Sequence, residues 1–350
     1  MKILQVCAYS APYLGNFMKS LFALENEAKA SGYTTIYCFP EKNKNIDWCQ
    51  ELEKTNKVYY LPLRNARILP KTYYILYKIF KENPDICYAH SHFELYDNPL
   101  TIVAPRTVKL FWHLHDALGN NLKGIYKYVW RLHYSLFNRR PYLLSVSEKH
   151  MRVAIQLGFK ESRAFYMPNA IDTNRIRQVN YNKECKYDFL MFGWLYFLKG
   201  VDLAISAVQK SEYKLGVVGG HVDVVRENGG LCIENVSPSN NINEIYSLAK
   251  CFLHISRAEG LSYALLEALY SGLPVIVSDI EENLFAKEFP TAFMVKSENV
   301  SDIRNAMDHL SEIHFNLSPS AVQETRNIIE TKYSIDLWAK QILTVYQTFE

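Results

Sequence analysis

Apolar runs of strand length alternate again and again with amphipathic stretches of helix length, and this alternation leaves few folds open to the chain. Strands apolar on both faces need helices packed on either side of a parallel sheet. In the first half the pattern predicts strands over 3–8, 34–39, 58–61, 86–90, 108–114 and 142–145, with helices at about 17–31, 71–81 and 124–138 between them. A second series predicts strands over 189–192, 215–218, 251–255 and 274–277, separated by helices such as 201–209 and 264–271. At 350 residues the chain is long for one hydrophobic core, so two α/β domains are expected. The segment Pro168-Asn169-Ala170-Ile171-Asp172 and the polar, charge-rich run that follows it to Lys186 mark the boundary, giving domains over 1–170 and 171–334.

Charge and cysteine content narrow the function classes. The 39 Lys and Arg against 36 Asp and Glu leave a net charge of +3, too small to make nucleic acid the main partner. The 7 cysteines include no C-x-x-C pair and several fall in apolar runs, as expected of buried thiols in a reducing compartment. Met1 to Ala8 is short and reads as a first strand, not as a signal peptide. With no run of membrane-spanning length, the expected location is the cytoplasm, with attachment at the inner membrane face left open. Two segments mixing aromatic and basic residues, 71–81 and 123–131, suit either a helix lying on an anionic membrane or a packed helix with a solvated basic edge.

The segment His254 to Leu269 carries the most chemistry. A buried strand ends near Ser256, a turn carries Glu259, Gly260 and Leu261, and a helix starts near Ser262, whose hydroxyl can cap it. Glu259 then lies in the loop and Glu267 in the helix body. A helix N-terminus reached by a glycine turn after a strand suits a diphosphate, and carboxylates flanking it can accept from sugar or ribose hydroxyls. A solvated turn Glu and an ordinary helix-face Glu would have the same spacing.

At this point the chain resembles the retaining glycosyltransferases of family 4. That family has the GT-B fold and carries a Glu-x7-Glu motif in this context, here Glu259 and Glu267. Asp85-Ile86-Cys87-Tyr88-Ala89-His90 resembles its Asp-Ile-Val-His stretch, His113-Leu114-His115-Asp116 its His-Asp strand end, and Pro168 to Asp172 its Pro-Asn-Gly-Val-Asp boundary. Phe192-Gly193-Trp194 with Lys199-Gly200 resembles its Gly-Arg and Lys-Gly pair, and Val217-Val218-Gly219-Gly220 its Val-Gly-x-Gly turn.

The resemblance implies two Rossmann-like domains facing across a cleft: an N-terminal acceptor domain, joined by a last helix over 335–350 that crosses back, and a C-terminal donor domain. It implies metal-independent, retaining transfer of a hexose from a nucleotide diphosphate sugar to a sugar or lipid-linked acceptor, as in polysaccharide synthesis, with no further cofactor. Glu259 would contact the donor sugar, Glu267 the ribose and Lys199 the diphosphate, and His115 would sit beside the reacting carbon at the cleft floor. Gly15, Gly193, Trp194, Gly260, Leu261 and Ser262 complete the implied donor site.

Trp194 stands where the family has Arg, and only Gly15 is present where it often has two glycines, so a non-catalytic nucleotide sugar binder is one alternative; an epimerase or phosphorylase on the same fold is another.

Histidines cluster in the first half. His115 follows a strand beside Asp116, where α/β ligands bind, and this points to function; His90 and His92 read as structural or rim residues. No third ligand stands at a metal-binding spacing from them, and the chain has no Asp-x-Asp to hold a divalent ion on a diphosphate.

Overall fold

In the computed structural model the described residues are 1–115, 125–179, 185–220, 225–227 and 230–349. They form two compact units, Met1–Asn169 with Ile335–Glu350, and Ala170–Ser334.

The N-terminal unit is built on a parallel sheet of β1 (Lys2–Cys7), β2 (Thr34–Pro40), β3 (Lys57–Leu61), β4 (Ile86–His92), β5 (Lys109–Leu114), β6 (Pro141–Ser145) and β7 (Ala164–Tyr166), in the order β3-β2-β1-β4-β5-β6-β7. Its helices are α1 (Asn16–Ala30), α2 (Asp47–Glu53), α3 (Pro70–Glu82), α4 (Asp97–Val103), α5 (Ile125–Phe137) and α6 (Glu148–Gln156). Strand order reverses direction between β1 and β4, and in α/β sheets ligands bind at the carboxyl ends of strands at such a point. One core joins Leu4, Val6, Ile36, Leu76, Ile79 and Leu110 across the sheet and its helices.

The C-terminal unit repeats the plan. Its sheet holds β8 (Tyr187–Phe192), β9 (Leu215–Val218), β10 (Val225–Glu227), β11 (Gly230–Val236), β12 (Ala249–His254), β13 (Val275–Ser278) and β14 (Ala292–Val295), in the order β10-β11-β9-β8-β12-β13-β14. Only β10 is antiparallel to its neighbour, at one edge. The reversal falls between β8 and β12. The helices are α7 (Val201–Val208), α8 (Ile242–Tyr246), α9 (Tyr263–Tyr270), α10 (Val300–Glu312) and α11 (Pro319–Lys332). Asn299 caps α10 and Ser318 caps α11, each accepting from a backbone N–H in the first turn. The last helix, α12 (Ile335–Thr348), belongs to the N-terminal unit.

The fold differs from the sequence reading in detail. Strand β4 runs to His92, two residues beyond its expected end, because Ser91 and His92 continue the pairing with Val6 and Cys7 of β1. Polar side chains made that end look like a loop. The short edge strands β7, β10 and β14, together with β11 and helices α2, α4, α6, α8, α10 and α11, were not anticipated. Runs of three or four residues carry too little periodicity to separate strand from loop, and edge strands need not be apolar on both faces. Asp116, Gly124 and part of the charge-rich run before Lys186 lie outside the described residues.

Candidate functional site

Both groups of expected site residues sit where their sheet reverses. In the C-terminal unit, β8 delivers Gly193 and Trp194, the turn to α7 delivers Lys199, and the loop after β12 delivers Glu259 to Ser262. Glycine is required for these segments to meet. A Cβ on Gly193 would lie 2.4 Å from Val217 Cγ1, and one on Gly200, at φ +72°, would lie 2.4 Å from the carbonyl oxygen of Ile255. The Arg257 N–H donates to the Leu198 carbonyl at 2.8 Å, joining the two loops.

This close approach brings Lys199 Nζ to 2.6 Å from Glu259 Oε1, with both side chains largely buried. Burial alone pushes the Glu259 carboxyl up, but the neighbouring His254 and Lys199, with the Lys199 hydrogen bond, outweigh it and hold the group below its ordinary value. His254 Nε2 lies 3.6 Å from the same oxygen. Burial pushes His254 down to about 4, against the pull of Glu259, so at neutral pH Lys199 is the positive partner. Sequence reasoning missed His254 in this role; its place at the end of β12 was the available signal. Arg257 is engaged elsewhere, held by both oxygens of Asp202 at 2.8 and 2.7 Å and by Glu298 at 2.9 Å, with its guanidinium over the Phe197 ring.

Ser262 caps α9 by accepting from the Leu265 N–H at 3.4 Å. The turn residue Leu261 is buried and Gly260 half-buried. Glu267 lies in the second turn of α9, buried, with Tyr246 OH donating to its Oε2 at 3.0 Å. Trp194 lies nearly flat on Phe192, ring centres 4.7 Å apart, and is 46% exposed. A Cβ on Gly219 would touch the indole at 2.7 Å, so this glycine makes room for the Trp.

His115 and Gly15 belong to the N-terminal unit. His115 follows β5 and is buried, with Phe17, two residues beyond Gly15, packed edge-on at 5.4 Å. Gly15 precedes α1, and a Cβ there would lie 2.9 Å from Tyr9 Oη. Phe93 and Glu94 both adopt left-handed backbone angles, φ +64° and +50°, which costs each about 1 kcal/mol or more. That turn stacks the Phe93 ring on His115 at 4.4 Å and lets Glu94 Oε1 accept from the His115 N–H at 3.1 Å.

His90 and His92 are fully buried and reach no rim. Among the described residues, His90, His92 and His113 form one group of possible metal ligands, with atoms within 4.8 Å of one another. They do not fit an ion. Both nitrogens of His92 already have partners, His115 Nε2 at 3.1 Å and Gln5 Oε1 at 3.0 Å. His90 and His113 stack at 11°, so their in-plane lone pairs run side by side and do not converge.

The Glycosyltransferase Family 4 model matches residues 21–175, and the Glycosyl transferases group 1 model matches residues 172–332. The O-antigen biosynthesis glycosyltransferase WbnH of Escherichia coli is 24% identical over 221 residues, 62% of this chain. The match spans 63% of that relative's length. Among solved structures, Anabaena Alr3699/HepE in complex with UDP and glucose has a TM-score of 0.79 at 15% identity, covering 99% of this chain and 100% of that one. Sucrose-phosphate synthase from Thermosynechococcus elongatus has a TM-score of 0.78 at 14% identity, covering 99% and 98%. At these identities the likeness is one of fold.

Proposed function

The chain belongs to the GT-B glycosyltransferases of the family 4 type, with a group 1 domain as its second half, and from that premise we propose that it transfers a hexose from a nucleotide diphosphate sugar to an acceptor hydroxyl with retention, in cell-surface polysaccharide synthesis. The observation that carries this reading is the buried Lys199–Glu259 pair at 2.6 Å beside the Ser262-capped start of α9. There a cation and backbone N–H groups can meet a diphosphate while a carboxylate accepts from a sugar hydroxyl.

In the proposed reaction the bond from the anomeric carbon to the diphosphate breaks and its electron pair leaves with the phosphate. The acceptor oxygen bonds to that carbon on the same face, and its proton passes to the departing phosphate. Lys199 and the α9 N-terminus stabilise the leaving charge, Glu259 and Glu267 hold hydroxyls of sugar and ribose, and His115 contacts the transferred sugar. Gly193, Gly260, Leu261 and Ser262 shape the donor loops; Trp194 is a further donor contact, and Gly15 lets the first loop approach the donor. UDP-sugars are the first donors to test, since HepE is described with UDP and glucose.

Steady-state kinetics on folded variants tests this reading. Lys199→Ala should raise the transition-state barrier by about 2–4 kcal/mol, roughly 30- to 900-fold in kcat/KM. Glu259→Gln and Glu267→Ala should each cost about tenfold or more. Removing Lys199 leaves a buried carboxylate unpaired, so Lys199→Ala/Glu259→Gln is read beside it to separate folding from catalysis. Activity should survive EDTA, since the donor reading needs no divalent ion. Wild-type kinetics in folded Lys199→Ala would refute the assignment. The position of Trp194 favours a second reading, a weakened or accessory nucleotide sugar binder, and a sharp rise in transfer on Trp194→Arg would support it.

The acceptor is proposed to be sugar or lipid-linked, met at the cytoplasmic membrane face. On α5, Tyr128, Val129, Leu132 and Leu136 are exposed beside Lys127 and Arg131, which supports surface attachment. No helix among the described residues is long and apolar enough to cross a membrane. Co-sedimentation with anionic but not neutral vesicles, lost on Leu132→Glu, is the expected result, and equal recovery without vesicles would oppose it.

A further inference from the structure

A continuous polar chain runs under the N-terminal candidate site. Tyr346 Oη of α12 lies 2.6 Å from His90 Nδ1 and accepts from Gln5 Nε2 at 3.3 Å. Gln5 Oε1 lies 3.0 Å from His92 Nε2, and His92 Nδ1 lies 3.1 Å from His115 Nε2. Sheet register builds it: Gln5 on β1 pairs with His90 on β4, and His92 pairs with His113 on β5, one alternation from His115.

The chain can be polarised in two directions, and one distance chooses between them. At 2.6 Å the Tyr346–His90 contact is short for an N–H donor and ordinary for an O–H donor, so Tyr346 donates to His90 Nδ1. The tyrosine proton is then committed, and Gln5 must turn its amide N–H to Tyr346 and its oxygen to His92. An amide oxygen only accepts, so His92 carries its proton on Nε2. A neutral imidazole has one N–H, so His92 Nδ1 accepts and His115 Nε2 donates.

We propose that Gln5 and His92 are positioning residues that hold His115 in the Nε2–H tautomer, so that it meets the transferred sugar through Nδ1 as a hydrogen-bond acceptor. This rests on the reading of His115 as a sugar contact. The side chain of Asn169 also interacts with His115. Burial pushes His90, His92 and His115 well below the ordinary imidazole value, so the rings stay neutral and the order of donors persists at neutral pH.

Long-range proton–nitrogen NMR of the full chain labelled with ¹⁵N-histidine reads the tautomers without any assay of transfer. His92 and His115 should both be protonated on Nε2, and Gln5→Leu should move His115 to a mixture or to Nδ1–H. A wild-type His115 protonated on Nδ1, or unchanged histidine signals in Gln5→Leu, overturns the proposal. In kinetics, His92→Phe should lower kcat about 10- to 100-fold with donor KM within about twofold, the range seen when a partner that orients a ligating side chain is lost. His92→Asn, whose side-chain oxygen replaces Nδ1 as acceptor, should restore most of it. An unchanged kcat in folded His92→Phe overturns the positioning role. Full activity in His115→Ala, or no transfer by the wild type, defeats instead the functional reading, and the NMR result still decides the tautomer.

Discussion

Deleting residues 334–350 should unfold the N-terminal unit while leaving the C-terminal unit cooperative. The deleted α12 contributes Trp338, Ala339, Ile342, Leu343 and Tyr346, all buried, with Ile342 and Tyr346 fully so. Burying each of the four large side chains is worth about 2 kcal/mol, so about 8 kcal/mol is lost, against a domain stability of about 5–15 kcal/mol. Tyr346 stacks on Tyr88 at 5.0 Å and contacts Phe111 at 4.7 Å, and Phe349 stacks on Tyr142 at 3.9 Å, so the helix covers β4, β5 and β6 together. Its loss would also leave Gln5 and His90 without the Tyr346 hydroxyl. Urea unfolding of the whole chain should show two transitions, of which the truncated chain keeps one. Two unchanged transitions would show that α12 is dispensable. Tyr346→Ala gives a milder version, with an expected loss of about 3–5 kcal/mol confined to the same transition.

Acidification from pH 7 to 5.5 should destabilise the N-terminal unit by about 4–5 kcal/mol. Burial pushes His113 down to about 3 and His133 down to about 4, and holds His90, His92 and His115 well below the ordinary value. All five fold neutral. Below the unfolded value of about 6.5 the unfolded chain binds five protons that the native unit does not, and each costs about 1.4 kcal/mol per pH unit. Asp97 works in the opposite direction. Burial raises its carboxyl to about 7, against Ser91 and Arg67, so the native unit takes up a proton there that the unfolded chain does not bind until lower pH, offsetting roughly one histidine. The net sign is loss of stability as pH falls. Urea midpoints at pH 7 and 5.5 measure it, and His113→Leu should flatten the slope by about 1.4 kcal/mol per pH unit. A midpoint that does not move would mean that these rings are charged in the native state.

Local signals were strongest where one element carries the information by itself. The alternation that placed β1, β2, β5, β8, β9 and β12 works because a central parallel strand is apolar on both faces. The seven-residue interval from Glu259 to Glu267 was legible as loop followed by helix because Ser262 caps locally, three residues before the N–H it satisfies. Edge strands β7, β10 and β14 were not legible, since each combines a place at the end of its sheet with a length of only three or four residues. His90 and His92 read as structural or rim residues because histidine is not a strand marker, and their full burial on one face of β4 leaves the structural alternative.

By itself the sequence determined that this chain builds two parallel sheets and which residues stand at the ends of their strands, because strand and helix periods and caps are properties of neighbouring residues. Only the tertiary structure decided which of those residues meet. Lys199 reaches Glu259 across 60 positions because β8 and β12 are adjacent in the sheet and Gly200 lets their loops touch. Gln5, His92, His115 and Tyr346 join one hydrogen-bonded chain because β1, β4 and β5 pair in register beneath a helix from the far end of the sequence. Strand order and register are settled by long-range packing, and no local period records them.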